Sequence, residues 1–419
     1  MDRKDFDRLL SQGKIPSVLL FEGEEEHMKQ SALDALQKKL LPEGLEELNR
    51  TLLDAPETDQ IIAAAETLQE QGIVTIEWAR PKLMGVLNLN LEKTEEAYQL
   101  CGRVHPRARA EAFIKTVEEV LSSVRSAWII SWKEEVCDKA RNTFHIPGFC
   151  QTDFTLLDLL LRAFKVYDGL NGATVSQRAF SIACFHDSKT FEREVRDEFL
   201  RIATRFDPEF TEMTGTREIS AREKLAMLGI YVRPELFELC GDCAIRTETG
   251  RLEIAAMGNS GIGVAGTAVE NIRTFELDHI HCITFIENKT NYDEYLITEK
   301  KEDELVLYHG GILSPQRKAF FEKLAKSVTT EQSVQFWADI DLGGFLMFER
   351  LKTIFPTLRP MRMAAENVRI HREHGLMREK AYLTRLQEEI EKGRFPEFRE
   401  TIAEILSCGV TIEQESFLM

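Results

Sequence analysis

The chain has 419 residues, 43% hydrophobic and 29% charged, with a formal net charge of −17. That composition is globular, too long for one ordinary core, and too acidic for a protein that coats nucleic acid by bulk attraction, although it leaves room for a local basic groove. No run of eighteen apolar residues occurs and the opening "MDRKDFDRLL" is charged throughout, so neither a membrane span nor a secretory signal is expected and the protein reads as cytoplasmic.

The charge is uneven. Residues 1–70 hold 16 Asp/Glu against 8 Lys/Arg, whereas residues 351–380 reverse sign, with seven Lys/Arg, among them Arg359 and Arg362, against three acids. A second basic knot is "RVHPRARA" at 103–110. Solvated helix surface and phosphate contact are both open readings of these stretches. The eight cysteines are scattered, and the one close pair, Cys240 and Cys243, has no second pair at zinc-ligand spacing. Reduced, buried thiols are expected.

In chain order, residues 17–68 alternate strand, helix, strand, helix: "SVLLFEG", "EEEHMKQSALDALQKKLL", "RTLLDA", "TDQIIAAAETL". The turn after the first strand has one glycine, no Gly-Lys-Ser/Thr and three glutamates that would repel phosphate, which argues against ATP binding. This opening resembles the N-terminal part of the δ subunit of the bacterial DNA polymerase III clamp loader, in "LLFEGEEEHMKQSALDALQKKLLPEGLEELNRTLLDA" and "IIAAAETL". The resemblance ends at about Leu68, before that family's clamp-binding segment, so clamp binding is not carried over. It does leave a second reading open, a replisome-associated or otherwise non-catalytic DNA-binding protein.

From Gln69 the texture changes. "GIVTIEWA" reads as a strand, "LEKTEEAYQLCGR" and residues 110–125 as helices, and "TDFTLLDLLLRAFKVY" as an amphipathic helix. Residues 174–203 read as two helices broken around His186 and Asp187, followed by possible strands in "GIYVRP" and "CAIRT". Helices followed by a small hairpin suggest a winged helix, the alternative being a helical spacer. Arg178 and Lys189 on those helices are candidate DNA-backbone contacts.

"GIGVAG" at 261–266 matches the dinucleotide fingerprint, with Glu287 about where a ribose-binding acid would stand. A fingerprint needs a strand before it and a long helix after it. "AAMGNS" breaks the chain beforehand and "TAVENIRTF" gives barely two turns afterwards, so the six residues read as a glycine-rich connector.

The last third alternates: strand "HIHCITFIEN", then "NYDEYLI", strand "ELVLYHGG", a helix capped by Ser314 and Pro315, strand "SVQFWA", and the helix "FLMFERLKTIF". Alternation implies a parallel sheet, whose functional groups gather at the carboxyl ends of its strands. Glu287 closes one strand; Asp339 and Asp341 close another. Extended geometry would point the two aspartates the same way. Three clustered carboxylates need a cation, and an all-oxygen set beside phosphate suits Mg²⁺ or Mn²⁺. Gly343 and Gly344 would let the backbone approach an anion closely. An Asp-x-Asp alone is weak, since loop aspartates form turns and caps and the same spacing occurs in haloacid-dehalogenase-type phosphatases and glycosyltransferases.

An acid at one strand end, then a βα unit, then Asp-x-Asp at a later strand end resembles the Toprim domain. The wording of "FIENKTNYDEYL", "LYHGG", "ADIDLGGFLMFERL", "FHDSKTFE" and "LAMLGIYVRPELFELCG" resembles the JetD family, nuclease subunits of Wadjet anti-plasmid systems, over roughly residues 70–400. The resemblance implies an α/β and α+β multidomain chain: a δ-like segment at 1–68, a helical N-terminal region at 69–150, a winged helix at 151–255 and a Toprim domain at 256–419. It implies a homodimeric Mg²⁺-dependent endonuclease acting on double-stranded DNA presented by an SMC-kleisin-type complex. Glu287, Asp339 and Asp341 would be catalytic and metal-binding, Lys289 would stand beside the scissile phosphate, and Arg178, Lys189, Arg359 and Arg362 would contact DNA. Related topoisomerase VI-like proteins attach to DNA through a winged-helix tyrosine. Residues 168–230 contain none, which favours hydrolysis.

Overall fold

The computed structural model describes residues 58–81, 83–100, 103–150, 153–214 and 219–418, with residues 32, 33, 35 and 36 of a helical turn. Most of the δ-like segment therefore lies outside the described residues. The chain divides into two compact units, residues 1–119 with 135–157, and residues 120–134 with 158–419.

In the first unit the helix Thr58–Glu70 leads into an antiparallel hairpin of Val74–Arg80 and Leu83–Leu89. Phe113 and Val117, four residues apart on the helix Pro106–Val120, form its buried face, as a helical period requires.

The second unit begins with helices around an aromatic cluster in which Phe164 and Phe199 are fully buried and Trp128 packs edge-on against both. The helix break expected near His186 is present. Ser176 caps the helix Gln177–Phe185, His186 ends it in the left-handed region (φ 58°), and the Asp187 carboxylate accepts from the N–H groups of Lys189 and Thr190 to start the next turn. The second helix opens with a π turn, Phe191–Val195, and runs through Arg196–Phe206.

The rest of this unit is built on a six-stranded sheet. Its strands are β1 (Leu236–Cys240), β2 (Ile262–Ala265), β3 (Cys282–Ile286), β4 (Glu304–Tyr308), β5 (Ser333–Trp337) and β6 (Arg359–Pro360), in the order β6-β5-β3-β4-β1-β2. β6, β5, β3 and β4 are parallel, connected by the helices α1 (Lys289–Thr298), α2 (Pro315–Ala325) and α3 (Leu342–Lys352). β1 and β2 add antiparallel, so the sheet is mixed where alternation alone predicted a parallel one. The physical reason is that β1 enters from the preceding helical segment and pairs with the free edge of β4.

"GIGVAG" is corrected by the same geometry. It is not a loose connector but the edge strand β2, and the 3-10 turn Gly266–Asn271 that follows gives no helix for a dinucleotide. The central strands are apolar on both faces, as burial between helix layers demands: Ile283, Phe285, Leu305, Val306, Val334 and Phe336 are all buried. Beyond the sheet lie α4 (Ala365–His371), α5 (Lys380–Glu391), α6 (Arg399–Cys408) and a short antiparallel pair, β7 (Leu376–Met377) with β8 (Val410–Thr411). Among the described residues no helix is long and apolar enough to cross a membrane.

Candidate active site

β3 and β5 are parallel neighbours with Ile286 in register with Trp337, so the residues that follow them emerge side by side. The Glu287 N–H donates to Trp337 O at 3.0 Å, and the Glu287 carboxylate accepts from the Asp339 N–H at 3.4 Å. The glutamate and the first aspartate are thus brought together at one edge, as the strand ends predicted.

The chain's last segment straps this edge. Ile340 and Ile412 form a bridge, which delivers Gln414 to the gap between the strand ends. Gln414 is fully buried: its N–H donates to Asp339 Oδ1 at 2.7 Å, its Nε2 donates to Trp337 O at 3.1 Å, and its Oε1 accepts from Asn288 N at 2.9 Å. One side chain therefore spans both strand ends, while its backbone fixes the Asp339 carboxylate.

Asp341 faces other partners. It caps α3, with Oδ1 accepting from Gly344 N at 2.9 Å, and Oδ2 pairs with Arg378 Nη2 at 3.3 Å. Arg378 is held by Thr411 Oγ1 at 2.7 Å and lies 4.7 Å from the Tyr382 ring centroid, while Tyr382 Oη accepts from Leu342 N. The intervening bridge at Ile340 and the cap at Asp341 break the extended run expected of the Asp-x-Asp stretch. Gly344 is explained without an anion. A Cβ there would overlap the Asp339 carbonyl, so glycine is what lets α3 start against the aspartate loop.

Burial drives the Asp339 carboxyl up to about 7, the charge of Asp341 adds to the rise, the Gln414 N–H opposes it, and Glu415 and Glu413 push it further up. A carboxylate this poorly compensated is where a cation would be most strongly held. Among the described residues no three His, Cys, Asp or Glu side chains are grouped to hold a metal. Glu287 and Asp339 nevertheless suit a hard divalent ion of the Mg²⁺ type, which is bound by one or two carboxylates plus waters and substrate phosphates. Asp341, paired with Arg378, departs from the expected ligand trio.

Lys289 begins α1 next to Glu287 but is tied to Glu238 and Asp293, both at 2.7 Å, and lies 4.7 Å from the Tyr292 ring. Burial lowers its pKa, and the two carboxylates more than offset this, so the ammonium is held charged. Arg178, Lys189 and Arg359 are exposed, on the helix Gln177–Phe185, the turn after it and β6 respectively. Arg362 pairs with Glu299 and stacks 4.6 Å from the Trp337 ring, which makes it part of the packing behind β5. Cys240 and Cys243 are free and buried, as the sequence led one to expect, and burial pushes the Cys243 thiol up to about 12. Gln414, Arg378 and Tyr382 are the site residues that sequence reasoning missed. Gln414 lies 75 residues from Asp339 and Arg378 lies 37 from Asp341, and no local spacing marks such partners.

Comparison with known proteins supplies a further finding. Residues 247–419 match the model of the family described as Wadjet protein JetD, C-terminal. Over 364 residues, 85% of this chain and 85% of the other, the sequence is 26% identical to the Wadjet protein JetD of Bacillus cereus (strain Q1).

Proposed function

From a chain whose residues 247–419 belong to the JetD C-terminal family, we propose the nuclease subunit of a Wadjet-type anti-plasmid system, a Mg²⁺- or Mn²⁺-dependent endonuclease that hydrolyses DNA phosphodiester bonds. In this reading the six-stranded sheet and its helices act as a Toprim domain and the preceding helices as a winged helix. The working form is a cytoplasmic homodimer that receives double-stranded DNA from SMC-kleisin-type subunits. The observation that carries the reading is the meeting of Glu287 and Asp339 at the carboxyl ends of two adjacent parallel strands, 3.4 Å between carboxylate and backbone N–H.

A divalent cation held by Asp339 and Glu287 would supply positive charge to offset that of the phosphoryl oxygens. Glu287 takes the proton of the attacking water; the new P–O bond forms in line as the bond to the leaving sugar oxygen breaks, and that oxygen recovers a proton from solvent. Asp339 would be the principal ligand, and the Gln414 N–H holds its carboxylate through Oδ1. Asp341 holds the loop through its helix cap and Arg378. With no tyrosine between residues 168 and 230, hydrolysis is favoured over a covalent protein–DNA bond.

Purified protein incubated with supercoiled plasmid and Mn²⁺ is expected to nick or linearise it. Glu287→Ala and Asp339→Ala are each expected to lower the rate by at least about a thousandfold, the scale on which electrostatic and acid–base groups act. Nicking that persists in both variants sinks the assignment.

A further inference from the structure

A cavity of about 400 Å³ lies at the carboxyl end of β4, the strand next to β3 on the side away from β5. Three arginines line it, Arg222, Arg233 and Arg317, with the carboxylates of Glu223 and Glu235. Both acids are already engaged. Glu223 accepts from Ser220 N at 2.9 Å and Ser220 Oγ at 2.7 Å in a capping box, and Glu235 accepts from Ser314 Oγ and pairs with Arg317 at 3.4 Å.

The cations are less fully matched. Arg317 is 8% exposed and its Nε has no hydrogen-bond partner. It lies directly under Gly310 (φ 66°), where a Cβ would overlap the guanidinium, so the Gly310–Gly311 turn is glycine in order to admit a buried cation at a strand end. Arg222 and Arg233 are exposed and form no ion pair among the described residues. The lining sets three arginines against two carboxylates, a net positive balance in a chain of net charge −17.

Its place in the sheet says what it faces. Ile286 is in register with Tyr308, and His309 N donates to Ile286 O at 2.7 Å, so His309 and Glu287 leave neighbouring strands side by side and Gly310 follows one residue later. A DNA strand laid across these strand ends with one phosphate at Glu287 would run its backbone toward the Gly310 turn. We propose that this cavity is a backbone subsite: Arg222, Arg233 and Arg317 hold the phosphate adjacent to the scissile one on the same strand and set the register of the cut. The proposal rests on the nuclease reading and names the substrate contact that it lacks.

The test is equilibrium binding of a short fluorescent DNA duplex by anisotropy, in EDTA so that neither metal nor cleavage contributes, across a range of NaCl concentrations. The Arg222→Ala/Arg233→Ala double variant is expected to bind about tenfold more weakly and to reduce the steepness of log K against log salt by about one, the signature of one lost phosphate contact. Lys115→Ala, a surface lysine of the first unit paired with Glu119, serves as the charge control and is expected to change neither. Wild-type affinity and slope in the double variant overturn the subsite alone. Absence of duplex binding by the wild type overturns both the subsite and the nuclease reading. Inorganic phosphate that protects the wild type but not the double variant against thermal unfolding, with the DNA slope unchanged, marks a free-anion pocket and also overturns the strand assignment.

Discussion

Two acidic clusters of the second unit have the same chemistry and opposite balance. Around Arg394, Glu212, Glu349 and Glu389 meet Arg350, Lys392 and Arg394 at 2.6 to 3.0 Å, three carboxylates to three cations. Glu389 titrates below its ordinary value there, burial being outweighed by the hydrogen bonds of Lys392 and Arg394. At the sheet edge, Asp339, Asp341 and Glu287 stand near Glu413 and Glu415 with Arg378 as the nearby cation, and Asp339 is pushed up to about 7. The balanced cluster ties the 208–214 helix to α3 and α5; the unbalanced one sits where strand ends converge. A charge deficit left in a partly buried place is costly to stability, which is the reason to read it as a site and the Arg394 cluster as a fastening.

Breaking the fastening should have the larger effect. Arg394→Met leaves Glu212, Glu349 and Glu389 short of a shared partner, and a loss of about 3 kcal/mol is expected in urea unfolding, as for other half-buried networks deprived of one member. Removing charge at the edge should do the reverse. The folded Asp339 carboxyl titrates at about 7 against an ordinary 3.8, so between those values the folded state holds a proton that the unfolded chain has released, and stability falls as pH rises through that window. Asp339→Asn is therefore expected to stabilise the metal-free protein by on the order of 2–3 kcal/mol at pH 8 and by nothing measurable at pH 4. A gain that is equal at both pH values would mean that burial of the charge is not the cause.

The contrast also separates what the sequence makes legible from what it hides. β3, β4 and β5 are five-residue strands, mostly apolar and bounded by polar turns, and Ser314 with Pro315 announces α2, so the positions of Glu287 and Asp339 follow from local pattern. β1 and β2 do not. "LFELC" and "GIGVAG" become strands by pairing with an edge that a distant part of the chain creates, and short glycine-rich strands carry little propensity of their own. Gln414 and Arg378 are hidden for the same reason, since a glutamine near a chain end has no period that points to an aspartate 75 residues earlier. Gly344 was legible as a special glycine but not for its cause. Gly344→Ala tests the cause directly: alanine gains about 1 kcal/mol of helix propensity, and the overlap with the Asp339 carbonyl, rigid backbone, should outweigh it for a net loss of about 1–2 kcal/mol.

Arg378 offers the finest comparison, because it pairs with a carboxylate at the edge as three cations do around Arg394. Arg378→Ala removes the 3.3 Å pair with Asp341 and the stack on Tyr382, and a loss of about 1 kcal/mol is expected at pH 8, near the upper end for an incompletely buried pair. A guanidinium paired with Asp341 should also offset part of the Asp339 charge across the Asp-x-Asp loop. In the Asp339→Asn background the cost of Arg378→Ala should therefore shrink by a few tenths of a kcal/mol at pH 8, a coupling that a double-mutant cycle reads directly. At pH 5, where Asp339 is already protonated in the folded wild type, the same cycle should close to zero. If the cost is the same in both backgrounds at both pH values, Arg378 acts through Asp341 and its packing on Tyr382, and the charge of Asp339 is offset by the Gln414 N–H without help from Arg378.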